Sequence, residues 1–485
     1  MCVRECNINT NKRSLSCYRN RNNLRFWIFF LEIISENGDN FENRNDKWTE
    51  AWVKRKISEK LVAWKQSDSK KPLMLFGARQ TGKTTSILEF AHANYDQVIY
   101  IDFYKQPQMK AAFNGSLEPA AIIATLEALL RRKIDAAHTL IVFDEIQECD
   151  RAITALKFFC TDAIGYDVVA AGSLLGVHVA REGSFPVGYV DMLTMHPMDF
   201  EEFCWALDEG MAFDLARQSY RSFAPCALHE RLMELYQSYL LVGGMPEAVL
   251  AHANGRPLHE VREIQEALRV AYVADMAKYA TNTDAAKIIE CWESLPSQLA
   301  KESGSTKFIW KYVASGAKAE RYSSAIDWLV ASGVVSKCTQ ISEGVSPLKS
   351  FENPSSFKIY VADTGLLSCA YDATPADFEE KDNRSARFRG GMAENYVMQQ
   401  LVVSGLKPYY WGMQSTHEVE FVIKLEDGVV PVEVKSGRRV ASTSANRFAE
   451  KYGCPYIIRV SGKNFGADGN VRSVPLYTVG LIGER

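Results

Sequence analysis

The stretch that most limits what this chain can fold into runs from Leu73 to Thr85. Four apolar residues, Leu73-Met74-Leu75-Phe76, stop at a glycine. The next eight positions spell G-x-x-x-x-G-K-T through Gly77, Ala78, Arg79, Gln80, Thr81, Gly82, Lys83 and Thr84, with Thr85 following. The apolar run reads as a buried strand and the residues after Lys83 as a helix. Between them, glycines let the backbone fold into a nest whose N–H groups, together with the N-terminus of the helix, face an anion. Lys83 adds a mobile positive charge, and the Thr84 hydroxyl is placed for Mg²⁺. Strand before and helix after are the context that separates a phosphate-binding loop from a chance glycine-rich turn.

The neighbouring segments repeat strand and helix. Gln97–Phe103 reads as a second strand, Leu117–Ile134 as a long helix with Ile122, Ile123, Leu126, Leu129 and Leu130 on its apolar positions, and Leu140–Phe143 as a third strand. That alternation is the signature of a parallel sheet with crossover helices. The third strand ends in Asp144-Glu145, about 60 residues after the loop lysine, which is the pattern of a Walker B element. Asp144 is placed to hold Mg²⁺ and Glu145 to polarise the water that attacks a γ-phosphate. A fourth strand, Asp167–Ala171, leads to Gly172-Ser173, where AAA-type ATPases keep the sensor-1 group, so Ser173 is the candidate sensor. Val190–Met195 reads as a fifth strand.

With 485 residues the chain is too long for one core, and three or four units are expected. A net charge of −3 gives no global attraction to nucleic acid or anionic lipid, so any DNA contact has to be local. The eleven cysteines form no C-x-x-C pair, which points away from a structural zinc site or disulfide framework and toward reduced thiols in the cytoplasm. Residues 1–48 differ from the rest: six Lys/Arg and one acidic residue precede Phe26, and the apolar run Phe26–Leu31 is too short to span a bilayer. They read as a poorly structured extension or a misassigned start, with no membrane role; a later start would need a non-standard codon, for example at Val53.

Walker motifs, Gly172-Ser173, Pro197-Met198-Asp199-Phe200-Glu201-Glu202-Phe203 and Tyr239-Leu240-Leu241-Val242-Gly243-Gly244-Met245-Pro246-Glu247-Ala248-Val249 together resemble a broad prokaryotic family, the AAA-type ATP-binding proteins with a C-terminal domain of unknown function. The resemblance covers roughly residues 55–485. It implies ATP and Mg²⁺ as ligands. Many relatives carry Gly-Arg near the last core strand; this chain has Gly188-Tyr189, which leaves Arg79 and Arg181 as the substitute sources of a charge-supplying arginine.

Beyond the core, residues 201–282 have helical periodicity and read as a lid, with Gly243-Gly244 and Pro246 as a hinge or a tight helix junction. Tyr272, Asp275 and Lys278, at i, i+3, i+6, read as a solvated helix face. Residues 283–345 read as helices followed by a hairpin, a winged-helix unit with Lys318 and Arg321 on its second helix and Lys307 and Lys311 nearby. In 357–485, Glu394 lies on a helix, Glu420 on a strand, and Glu433 and Lys435 on the next. These resemble the PD-(D/E)XK nuclease core, in which carboxylates bind Mg²⁺ and a lysine steers water; glutamate at 420 replaces the usual aspartate.

The expected fold is thus α/β: an AAA-type P-loop core (49–200) with a parallel sheet and helices on both faces, a helical lid, a winged-helix unit and a nuclease-like α/β domain. The expected function is a weak Mg²⁺-dependent ATPase acting as a switch on its C-terminal domains, with an ATP-gated DNA nuclease and a non-hydrolysing DNA- or protein-binding regulator as alternatives. Expected partners are ATP, DNA through the C-terminal units, and a protein or a second copy of the chain.

Overall fold

The computed structural model describes residues 53–484 except 163–164, 174–175, 178–185, 279–281, 301–305, 380–385, 414–416 and 438–442. The expectations for residues 1–48 and for Arg181 lie outside the described residues.

Helix α1 (Ile57–Gln66) precedes β1 (Leu73–Phe76), α2 (Lys83–Asn94), β2 (Gln97–Asp102), α3 (Pro119–Leu130), β3 (Thr139–Asp144), α4 (Asp150–Thr161), β4 (Asp167–Ala171) and β5 (Asp191–Thr194). All five strands are parallel, in the order β2-β3-β4-β1-β5. A sheet covered on both faces needs apolar residues at successive positions, and β3 is buried at all six of its residues. The two-residue alternation divides the strands between two cores. Met74, Ile141, Phe143, Val168 and Ala170 pack with Ile122 and Leu126 of α3 and Ile153 and Leu156 of α4. Leu73, Leu75, Leu140, Val142 and Val169 pack with Leu61 of α1 and Ile87 and Phe90 of α2. With β1 beside β4, and β3 on the far side of β4, the loops after β1, β3 and β4 emerge together at the C-terminal edge of the sheet.

A run of helices follows: α5 (Phe200–Ala206), α6 (Gly210–Ser222), α7 (His229–Val242), α8 (Pro246–Ala253), α9 (Leu258–Lys278) and α10 (Asn282–Leu299). Gly243-Gly244, between α7 and α8, is a tight junction. A Cβ on Gly244 would lie 2.0 Å from the Met198 carbonyl oxygen, and one on Gly243 would lie 2.4 Å from Asp363 Oδ1. Asp363 fills the junction, accepting from Gly244 N at 2.6 Å and capping the next helix through Leu366 N at 2.9 Å.

Residues expected to form a separate winged-helix unit are arranged differently. The segment around Lys307–Val313 holds only a single turn, Trp310–Tyr312, and Lys307 bridges to Lys358. After α11 (Ala319–Ala331), the hairpin β6 (Val335–Ile341) and β7 (Glu352–Val361) joins the strands of the C-terminal region. With α12 (Thr364–Ala370), α13 (Ala386–Val403), β8 (Tyr409–Met413), β9 (His417–Leu425), β10 (Gly428–Val434), α14 (Ser444–Tyr452), β11 (Ile457–Ser461), β12 (Gly466–Asp468) and β13 (Val471–Pro475), it completes an eight-stranded mixed sheet ordered β12-β13-β11-β10-β9-β8-β6-β7. The physical reason is register: β6 pairs with β7 on one side and, in parallel, with β8 on the other, so its unpaired edge is covered within the chain. No helix among the described residues is long and apolar enough to cross a membrane.

Candidate functional site

The loop between β1 and α2 has the backbone that its glycines allow. Gly77 has φ +144°, and a Cβ there would lie 2.2 Å from the Met195 carbonyl oxygen. Gly82 has φ +93° and caps α2. Gln80 takes the left-handed conformation and is exposed with Arg79 and Thr85, while Ala78 and Thr81 are buried, Thr81 Oγ1 donating to the Ala78 carbonyl at 3.0 Å. Lys83 is buried, and its ammonium donates to the Gly77 and Ala78 carbonyls at 2.9 and 2.8 Å. Burial pulls its pKa down to about 8, against the opposing pull of Glu145 and Asp144.

Asp144 is buried at the end of β3, and Oδ2 accepts from Thr84 Oγ1 at 2.7 Å and Tyr100 OH at 2.8 Å. Burial pushes this carboxyl up from its ordinary range. Tyr100 was not foreseen; the signal for it is an aromatic hydroxyl on the strand next to β3. Glu145 follows with φ +46°, an unusual conformation for a residue with a side chain and one found preferentially at functional positions. Its Oε2 accepts from Gln147 Nε2 and from Ser173 Oγ, the latter at 3.3 Å. Walker A, Walker B and the candidate sensor therefore meet at one edge of the sheet.

Whether this set suits a metal and a polyphosphate is testable from its charges. Among the described residues, neither Lys83 nor Asp144 is within ion-pair distance of an opposite charge, although both are buried. A buried ammonium held only by carbonyls and a buried carboxylate held by two hydroxyls and the Glu145 backbone N–H are costly as they stand. An anion on one and a cation on the other satisfy both, so the residues fit Mg²⁺ held by Thr84 and Asp144 beside phosphates on Lys83.

Arg55, just before α1, supports the loop from behind. Its guanidinium donates to the Thr81 and His196 carbonyls, both at 2.8 Å, and pairs with Glu202 at 3.1 Å. Lys56 pairs with Asp199 at 2.6 Å and Glu201 at 2.7 Å. Asp199 and Glu202 also form the capping box of α5. The Pro197–Phe203 run thus ties the N-terminal segment to the phosphate loop through its acidic residues.

The supposed solvated face of α9 is instead turned onto this loop. Tyr272 and Asp275 are buried; Tyr272 OH donates to the Arg79 carbonyl at 3.0 Å, and Asp275 pairs with the Arg79 guanidinium at 2.6 Å. Lys278 lies 3.7 Å from Glu148, just past Walker B, and over the Tyr104 ring at 4.9 Å. Polar residues at helical spacing were read as facing water because their charged partners are far away in sequence. Gly188-Tyr189 precedes β5, at the edge of the sheet opposite the phosphate loop. There the Lys71 ammonium donates to the Gly188 carbonyl at 2.6 Å, and Lys157 lies over the Tyr189 ring at 5.0 Å.

In the C-terminal sheet, Glu420 and Glu433 come together through Lys435, 3.3 Å from each, and Arg459 pairs with Glu433 at 3.0 Å. Glu394 belongs to an adjoining cluster around a lysine that sequence reasoning passed over. Lys358, fully buried, places its ammonium 2.8 Å from Glu394 and 2.6 Å from Glu418. Thr306 Oγ1, at 2.6 Å, and Tyr360 OH also donate to Glu394. Burial works to raise the Glu394 carboxyl, yet Lys358 and these hydroxyls hold it below its ordinary value. Burial pushes Glu420 up to about 7 against the pull of Lys435. Among the described residues, no three His, Cys, Asp or Glu side chains are grouped as a metal ion would require.

The exposed positions of α11, expected to read DNA, include Glu320, Arg321, Ser323, Ser324 and Asp327. That face carries Glu320 and Asp327 against Arg321, with exposed Lys318 just before the helix and exposed Lys307 and Lys311 nearby.

Comparison with known proteins matches three stretches of the chain. Residues 69–204 match the family model of the AAA domain. Residues 233–377 and 389–479 match two domains of unknown function, DUF8612 and DUF4143. The chain is thus similar to AAA-type P-loop proteins over residues 69–204 and to the DUF4143 domain over residues 389–479. No curated protein matches it. Among solved structures, the Walker-type ATPase PABY2304 of Pyrococcus abyssi is 13% identical with a TM-score of 0.41, the alignment covering 67% of this chain and 97% of that one. The Aeropyrum pernix ORC1 protein, solved in complex with DNA, is 13% identical with a TM-score of 0.25, covering 65% and 90%. Cdc6p from Pyrobaculum aerophilum is 12% identical with a TM-score of 0.24, covering 72% and 97%. Every TM-score is below 0.5, too low for these likenesses to bear on function here.

Proposed function

We propose that this chain is an ATP-binding protein and a weak Mg²⁺-dependent ATPase, and that its nucleotide state sets the arrangement of the helices and the sheet that follow the core. One observation carries the reading: Lys83, Thr84, Asp144, Glu145 and Ser173 converge at one sheet edge, with a buried ammonium and a buried carboxylate that, among the described residues, sit in no ion pair. The backbone of Gly77–Thr85 and Lys83 bind the phosphates, and Thr84 and Asp144 hold the Mg²⁺. When bound, the metal supplies positive charge against the β- and γ-oxygens. Glu145 orients the attacking water and accepts its proton, while Ser173, beside Glu145, reports on the terminal phosphate. Arg55 keeps the loop in shape from behind.

The test uses the full chain. Lys83→Ala should abolish ATP binding, and Glu145→Gln should bind ATP and release no phosphate. Undiminished turnover in Glu145→Gln would exclude it as the water-orienting group. A non-hydrolysing regulator would bind ATP without phosphate release in the unaltered protein. The ATP-gated nuclease is the weaker reading, because Glu394 is already paired with the Lys358 ammonium rather than grouped with Glu420 and Glu433. Mg²⁺-dependent DNA cleavage that disappears in Glu433→Ala would restore it.

A further inference from the structure

The end of α9 fastens itself to three loops at the C-terminal edge of the parallel sheet. Tyr272 holds the Arg79 carbonyl, Asp275 holds the Arg79 guanidinium, and Lys278 reaches Glu148 after β3 and Tyr104 after β2. The three residues are spaced by about one turn each, so a single helix face makes all of these contacts. Arg79 is the central link. It is in the phosphate loop, its side chain is 47% exposed, and its partner Asp275 is 10% exposed. An arginine there can swing toward a bound anion without moving the loop, whereas the Asp275 carboxylate is fixed to its helix.

We propose that the Arg79 guanidinium is exchanged between Asp275 and the terminal phosphate of a bound nucleoside triphosphate, and that this exchange loosens the end of α9 from the phosphate loop. The inference rests on the nucleotide-binding reading above and assigns the residues that transmit it. The charges favour the exchange. Asp275 lies close enough to Glu145 for that carboxylate to raise its pKa, an effect secondary to burial and opposed by Arg79. Asp144, Glu145 and Asp275 therefore form a negative rim on which a triphosphate brings further negative charge. Arg79 is the cation of the loop that is half in solvent, and both the γ-phosphate and Asp275 accept its planar fork. Without its guanidinium, Asp275 is a buried carboxylate with its ion pair broken, and the end of α9 loses its charged tie to the phosphate loop. A nucleoside diphosphate lacks the group that makes the exchange and leaves α9 in place.

Hydrogen exchange of the α9 backbone in the full chain, with Mg²⁺ and either ATP or ADP, reads this directly, alongside calorimetric affinity for each nucleotide. In the unaltered protein, ATP should speed exchange over residues 270–278 and ADP should not. Asp275→Asn should show the faster exchange without nucleotide and bind ATP about two- to fivefold more tightly, since ATP no longer competes for Arg79. Arg79→Ala should also show the fast exchange without nucleotide and give no further response to ATP. If ATP binds the unaltered protein but leaves α9 exchange unchanged, or if Asp275→Asn binds ATP no more tightly, the exchange mechanism is overturned while nucleotide binding stands. If the unaltered protein binds ATP no better than Lys83→Ala, both readings fall.

Discussion

Replacing Arg55 with alanine should be the most damaging single change near the phosphate loop at a position outside the Walker motifs. Arg55 and Glu202 have side chains only 6% and 5% exposed, and their pair is 3.1 Å long. Removing one partner of a buried pair costs roughly 3–5 kcal/mol, mostly because the other charge is left behind. Glu202 keeps two backbone donors, Lys56 N at 2.6 Å and Asp199 N at 3.1 Å, which places the ion-pair loss near the lower end, about 3 kcal/mol. The Thr81 and His196 carbonyls lose charged donors as well, adding about 1 kcal/mol where water replaces the guanidinium imperfectly. The expected destabilisation is therefore about 4 kcal/mol near pH 8. Burial already raises the Glu202 carboxyl and Arg55 opposes that rise, so in the variant it rises further. The folded variant then holds the Glu202 proton more tightly than the unfolded chain, and its deficit shrinks as the pH falls toward 5. Urea unfolding of the full chain at pH 8 and pH 5 measures both effects. The double variant Arg55→Ala/Glu202→Gln should recover part of the loss at pH 8. A single-variant loss below about 1 kcal/mol, or a double variant no more stable than the single, refutes the reasoning.

Three further outcomes can be measured by the same unfolding experiment. Lys358→Met leaves Glu394 and Glu418 without their shared ammonium and should cost about 3–5 kcal/mol at neutral pH. Gly244→Ala puts a methyl group 2.0 Å from a backbone carbonyl that cannot move aside without disturbing Met198 N, which donates to the Gly244 carbonyl at 2.7 Å; a loss of about 3 kcal/mol or more is expected. Asp363 has its carboxyl raised by burial from the ordinary 3.8 to about 6, against the donors Gly244 N, Leu366 N and Gly365 N. The folded chain thus binds this proton more tightly, so this group adds stability as the pH falls from about 6 to about 4, up to about 3 kcal/mol. Asp363→Asn should flatten that part of the stability profile, and an unchanged slope between pH 6 and 4 would contradict it.

The phosphate loop, Asp144, Glu145 and Ser173 were readable because their chemistry is local: glycine spacing, a lysine, and carboxylates at the end of an apolar strand. The five parallel strands followed from the same alternation. What could not be read depends on what lies opposite. Tyr272, Asp275 and Lys278 have the composition of a wetted face, and only the packed fold brings Arg79 and Glu148 to them. Gly243-Gly244 left a hinge and a tight junction equally open until Asp363, over a hundred positions later, filled the gap. Lys358 sits in a strand among Phe357, Ile359 and Tyr360, where a single lysine suggests an exposed edge; its burial makes sense only with Glu394 and Glu418 around it. The pairing of β6 with β8 was hidden for a similar reason, since a hairpin's inner partner is visible in sequence and its outer partner is not.

That shared hairpin also orders events during synthesis. The core strands are complete once Thr194 has emerged, so the parallel-sheet core can close on its own contacts while translation continues. β6 must wait for β8, more than sixty residues downstream, and β8 in turn pairs with β9. Until then the emerging chain carries a strand with one edge unmatched, a state prone to capture by another copy or a chaperone. A ribosome pause within residues 342–408 would prolong that exposure, and a pause before 335 would not.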